Sequence, residues 1–183
     1  MLLAMNESVI TAHKAKHLLA HVLVAAGARR WPGVLLGESG ETATGFYADF
    51  GTSETVDETV LAELTDAMVR LLGGFRVFRD VQLTGAEAGR IFARQPWKQR
   101  EAAAMLEIEG RVGCYELDGF IDLCACVLKS PEELRAVHPE KFMLAGVAEV
   151  DWQDRGRAYR MQRITGELFP AVAPCPCCPP AER

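Results

Sequence analysis

Three histidines stand four residues apart near the start of the chain: His13, His17 and His21. On a helix this spacing puts the imidazoles on one face, a turn apart, where they can hold a metal or meet a phosphate ester. Imidazole also exchanges a proton near neutral pH. The plain alternative is a polar surface stripe beside Lys14 and Lys16. A second pairing is Asp122 with Cys124. Two residues apart on a strand, they face the same side. Here the alternative is a buried thiol and a turn carboxylate. Lys98 follows Gln95-Pro96-Trp97, and its meaning depends on what the ammonium faces. A third group, Cys175, Cys177 and Cys178, lies in the Pro-rich C-terminus and suits either a metal clip or an oxidisable tail.

The elements that carry these residues are legible in part. Thr11 to Ala26 lacks Gly and Pro and predicts a helix, with Leu18, Leu19, Val22 and Leu23 on its apolar face and Gly27 as its C-terminal glycine. Val34-Leu35-Leu36 and Gly45 to Phe50 read as strands. Thr55-x-x-Glu58 and Thr84-x-x-Glu87 are capping boxes opening two further helices, the second of which Pro96 interrupts. Phe75 to Leu83 alternates as a strand. Arg100 to Cys124 predicts two strands joined near Gly110–Gly113, which places Lys98 between a loop and a strand. Ser130-Pro131-Glu132-Glu133 opens a helix, and Phe142 to Phe169 folds as a hairpin across Asp154–Gly156. Segregated helices and hairpins predict an α+β domain with an antiparallel sheet over residues 1–170, followed by a Pro/Cys-rich tail, 171–183.

Composition narrows the function. The 183 residues are 49% hydrophobic with a net charge of −5, enough apolar matter for one core. Coating nucleic acid by bulk charge needs an excess of Lys and Arg, so only brief, shape-guided contact with an RNA end stays open. No apolar run reaches the roughly 18 residues of a membrane span, and MLLAM lacks the basic leader of a signal peptide. Cytoplasmic location and reduced thiols are expected.

In order along the chain come His13-Lys14-Ala15-Lys16-His17-Leu18-Leu19-Ala20-His21, Gly45-Phe46-Tyr47-Ala48-Asp49-Phe50, Gln95-Pro96-Trp97-Lys98, Phe120-Ile121-Asp122-Leu123-Cys124 and Met161-Gln162-Arg163-Ile164-Thr165-Gly166. This series resembles the editing domain of threonyl-tRNA synthetase, one of a superfamily shared with alanyl-tRNA synthetase. The resemblance implies that fold for Thr11 to Pro170. It also implies hydrolysis of serine wrongly esterified to threonine tRNA. By carry-over His13, His17, Asp122 and Cys124 line a cleft that receives the aminoacyl-tRNA 3′ end, with Lys98 at its mouth. Tyr47, Ala48 and His21 are the implied substrate-binding residues. His13, His17 and Cys124 make three ligands of a candidate zinc site, with Cys126 or His138 as a further ligand.

Two positions depart from the resembled pattern. Its Cys-x-x-x-His becomes Cys124 with Leu128, and the second aromatic of its Gly-Phe-Tyr-Tyr becomes Ala48. The synthetase's ubiquitin-like N-terminal domain and class II core have no counterpart here. The chain is expected to be either a freestanding editing-like protein, a deacylase working alongside a synthetase, or a fragment. The alternative is a catalytically degenerate domain that binds a tRNA end, an aminoacyl-like ligand or a protein partner.

Overall fold

The computed structural model describes residues 2–125, 134, 137, 142–154 and 156–169, with residues 2–12 and 154 given as backbone alone. Cys126, Leu128, Ser130 to Glu133, His138 and the tail 171–183 lie outside the described residues. The architecture is α+β, with antiparallel sheets packed on helices, as the sequence predicts.

Helix α1 (Leu2–Arg30) is the central strut. Every residue from Leu18 to Gly27 is buried, His21 among them. A helix enclosed on all sides needs a partner on each flank. One flank is a four-stranded sheet ordered β1-β2-β7-β6, formed by β1 (Leu35–Glu41), β2 (Gly45–Gly51), β6 (Phe142–Asp154) and β7 (Arg157–Leu168). Phe46, Ala48 and Phe50 of β2 turn toward α1 and join a core with Leu19, Leu23 and Ile164. Helix α2 (Glu58–Gly74) adds Leu64 and Met68 to the same core.

The other flank is a three-stranded sheet, β3 (Phe78–Leu83), β4 (Val112–Leu117) and β5 (Phe120–Leu123). Its Phe78, Tyr115 and Leu117 close over α1. On its far side α3 (Gly85–Ile91) and α4 (Pro96–Glu109) cover a smaller core of Leu83, Ala88, Phe92, Ala102, Val112, Cys114 and Leu123. Among the described residues no helix is long and apolar enough to cross a membrane.

Several boundaries differ from expectation. Gly27 does not end α1, which continues to Arg30. A Cβ there would lie 2.2 Å from Phe50 Cε1, so this glycine is the place where strand and helix touch. Helix α2 is capped by Asp57, whose Oδ1 accepts from the Val60 N–H at 3.0 Å, and not by Thr55. The Thr84–Glu87 capping box forms as predicted.

Pro96 starts a helix where an interruption was expected. It occupies the first turn, where its missing N–H costs nothing. Arg100 to Glu109 is accordingly helical. The run Glu101-Ala102-Ala103-Ala104-Met105-Leu106 consists of strong helix formers, which the strand reading overlooked. Gly110, at φ 71°, ends that helix. The hairpin turn lies further on, at Asp118-Gly119, where both residues have positive φ and Leu117 pairs with Phe120. The β6–β7 hairpin forms as expected, closing at the pair Asp154 and Arg157.

Candidate functional site

Gln95-Pro96-Trp97-Lys98 is the hinge of the site. The side-chain amide of Gln95 copies a strand partner on the edge of β1. Leu36 N–H donates to Gln95 Oε1 at 2.8 Å, and Gln95 Nε2 donates to the Val34 carbonyl at 2.7 Å. This pins the start of α4 to the first sheet. Within the next turn Trp97 faces β6, where its ring meets Trp152, while Lys98 turns inward to the second sheet.

Lys98 is buried, and its Nζ donates to Asp122 Oδ2 at 3.0 Å. Asp122 is fully buried on β5, opposite Tyr115. Its other oxygen, Oδ1, has no hydrogen-bond partner among the described residues. Burial pushes the Tyr115 phenol well above its ordinary range. That phenol donates to the His21 carbonyl at 3.1 Å, tying β4 to α1.

Cys124 lies two residues beyond Asp122. Its Sγ is 3.3 Å from His17 Nε2 and 3.2 Å from His21 Nε2, and the two imidazole Nε2 atoms are 3.0 Å apart. Helical spacing set the two histidines on one face, and the fold brings the thiol between them. Ligands at ordinary zinc distances in a tetrahedron stand roughly 3.3–3.6 Å apart. The observed separations of 3.0–3.3 Å lie at or just below that range, and two imidazoles and a thiol are a donor set suited to zinc. His17 Nδ1 lies 3.4 Å from Glu41 Oε1. A carboxylate there favours the tautomer with the ring proton on Nδ1, in which the Nε2 lone pair is available to a metal.

His13 is placed elsewhere. It is largely exposed and pairs with the other oxygen of Glu41. The structure brings together His17, His21 and Cys124; the ligands expected from the sequence are His13, His17 and Cys124, and His13 stands apart from this cluster. The further ligands considered, Cys126 and His138, lie outside the described residues.

The implied substrate residues separate across β2. Ala48 is buried in the core against α1, whereas Tyr47 points to the opposite face. There its ring stacks on Arg163, 4.1 Å from the guanidinium carbon. Burial, with the nearby Glu38 carboxylate, pushes its hydroxyl up to about 12.

Glu101 escaped the sequence reading. One turn beyond Lys98 on α4, it is half-buried, and its carboxyl is raised above the usual range. Burial is the main cause, Asp122 and Glu38 add to it, and Lys98 opposes them. The signal available was the Lys98–Glu101 spacing on one helix face, which a strand assignment hides. A groove between α1, α2 and the Asp118 turn, lined by Arg29, Glu63, Asp66 and Arg70, lies at the far end of α1 and holds none of these groups.

No known family's sequence model matches the chain. Individual proteins do match. The chain is similar to threonine–tRNA ligases. That of a Synechococcus species is 30% identical over 161 residues, 85% of this chain and 25% of the ligase. Those of Dehalococcoides mccartyi and Borrelia garinii are 28% and 24% identical, over 84% and 86% of this chain. The chain thus spans about a quarter of the length of these ligases, 25% and 26% for the last two. The similarity to the ligases agrees with the resemblance drawn from the motifs.

Proposed function

We propose that this chain hydrolyses the ester between an amino acid and the terminal ribose of a tRNA, with serine on threonine tRNA as the substrate. The observation that supports this reading best is the row of Lys98 on α4, Asp122 and Cys124 at the end of β5, and His17 and His21 on α1. Similarity to ligases whose name specifies threonine and tRNA supplies the substrate class.

Ester hydrolysis adds water to the acyl carbon, passes through an oxyanion and returns a proton to the departing ribose oxygen. His17, at the edge of the buried trio, is suited to carry that proton between water and the leaving oxygen. The Lys98 ammonium offsets negative charge on the ribose oxygens, in a position water does not screen. The open oxygen of Asp122 is an acceptor for the α-ammonium of the aminoacyl group. Were zinc bound, His17, His21 and Cys124 would hold it and it would supply Lewis acidity here, with His17 then serving as a ligand in place of its proton-carrying role. Accepting serine while refusing threonine requires only that a methyl find no space, a discrimination worth about 1–3 kcal/mol.

The test is release of serine from serylated threonine tRNA by the purified chain. His17→Ala and Lys98→Ala are each expected to slow release at least about a hundredfold. Release no faster than in buffer, or variants equal to the unmodified chain, sinks the proposal. A second reading, a binding domain without turnover, draws on Ala48: the position of the second aromatic is filled by a small core residue. It expects tight binding of a non-hydrolysable seryl-adenosine with no turnover of the ester.

A further inference from the structure

The face of the first sheet turned away from α1 carries a continuous row of aromatic rings and guanidinium groups. Tyr47 stacks on Arg163. Arg163 holds the buried Asp49 through two bonds, Nε to Oδ1 at 2.7 Å and an Nη to Oδ2 at 2.8 Å. Asp49 Oδ2 also accepts from Trp152 Nε1 at 3.1 Å. The Trp152 ring meets Trp97 edge-on with centroids 4.0 Å apart, and the exposed Arg100 lies over Trp97 at 4.1 Å. The row ends at Trp97 and Arg100, on the same part of α4 as the buried Lys98.

Three properties of this row point to one kind of ligand. Its rings are held from behind: the buried Asp49 carboxylate fixes Arg163 and Trp152, so little order is lost when something stacks on them. Its exposed planes are aromatic or guanidinium, the two surfaces on which unpaired bases stack. The Trp97 Nε1 is buried with no hydrogen-bond partner among the described residues, although a donor so placed calls for an acceptor. For a base carbonyl or phosphate oxygen to provide one, the Trp97 ring must turn its Nε1 outward on binding.

We infer that this row is a stacking platform for the unpaired RNA nucleotides immediately before the esterified end, with Trp97 and Trp152 as its centre and Arg100 lying over Trp97. The inference rests on the reading of the site as one for a tRNA end, and it adds how an acidic chain holds RNA. At a net charge of −5, affinity comes from stacking and not from displaced counterions.

The experiment uses the full chain and uncharged RNA, so that binding is separated from hydrolysis. A fluorescently labelled RNA hairpin with an unpaired four-nucleotide 3′ overhang is compared with its blunt form by anisotropy. The overhang is expected to bind and the blunt form to bind at least about tenfold more weakly. Trp97→Ala should weaken overhang binding about tenfold to hundredfold, and Trp97→Phe should keep it within a few-fold. Arg100→Ala, at an exposed position, should leave folding intact and alter the RNA-induced quenching of tryptophan fluorescence. The salt dependence of log Kd should be shallow, with a slope near 1 to 2 in magnitude.

Equal binding of blunt and overhanging RNA, or a folded Trp97→Ala chain that binds like the original, overturns the inference. No RNA binding at all does so too and leaves the face to a protein contact. Overhang binding without ester hydrolysis keeps the platform and removes the proposed activity. Hydrolysis with an unchanged KM in Trp97→Ala does the reverse.

Discussion

Lys98 and Asp122 form an ion pair in which neither partner sees water: their side chains are 4% and 0% exposed, 3.0 Å apart. They come from different elements, so the pair locks α4 to β5. Removing one partner strands the other charge. Lys98→Met and Asp122→Asn are each expected to cost about 3–5 kcal/mol of stability in urea unfolding. The double variant Lys98→Met/Asp122→Leu should cost clearly less than the sum of the singles. Additive losses would show that the two groups do not interact.

The trio of His17, His21 and Cys124 makes a metal prediction that excludes His13. Cobalt(II) added to the chain should give a thiolate-to-metal charge-transfer band at one equivalent. Cys124→Ser should abolish the band. His21→Ala should weaken binding more than His13→Ala does. Glu41→Gln, which loosens the hold on His17 Nδ1, should weaken it about 10–100-fold. A larger effect from His13→Ala than from His21→Ala would reassign the ligands.

Gly27→Ala tests the contact between α1 and β2. In an exposed helix interior this change stabilises by about 0.5–1 kcal/mol. Here the new methyl meets the Phe50 ring, so the sign reverses. A loss of about 1–3 kcal/mol is expected in denaturant unfolding, typical of an overfilled core. A gain in stability would mean that the helix and strand stand further apart.

Glu101 links the site to pH. Its folded carboxyl is raised, so the native state holds a proton that the unfolded chain has released. The stability associated with this group is complete below the unfolded value, near 4.5, and is lost as pH rises through the folded value. Glu101→Gln, which cannot ionise, should therefore raise the melting temperature at pH 7. The gain should shrink on acidification to pH 4, because both states of the original chain are then protonated. An equal gain at both pH values would place the cause in packing.

Local signals located much of the framework. The β6–β7 hairpin, the Thr84 capping box and β2 were legible because each depends on residues within a few positions of one another. Helix α4 was missed for a local reason too: Pro96 was treated as a stop where its ring suits a first turn. That error hid Glu101 and set Lys98 on the wrong element.

By itself the sequence determined that His17 and His21 share a helix face and that Asp122 and Cys124 share a strand face. Periods of 3.6 and 2 require no more than the chain's own geometry. Only the tertiary structure decided which histidine meets the thiol. His13 and His21 are equivalent in spacing from His17. They part because α1 from Leu18 onward is enclosed between two sheets, while His13 stands beyond that enclosure beside Glu41. Burial, a property of the packed whole, drew His21 to Cys124 and left His13 to solvent.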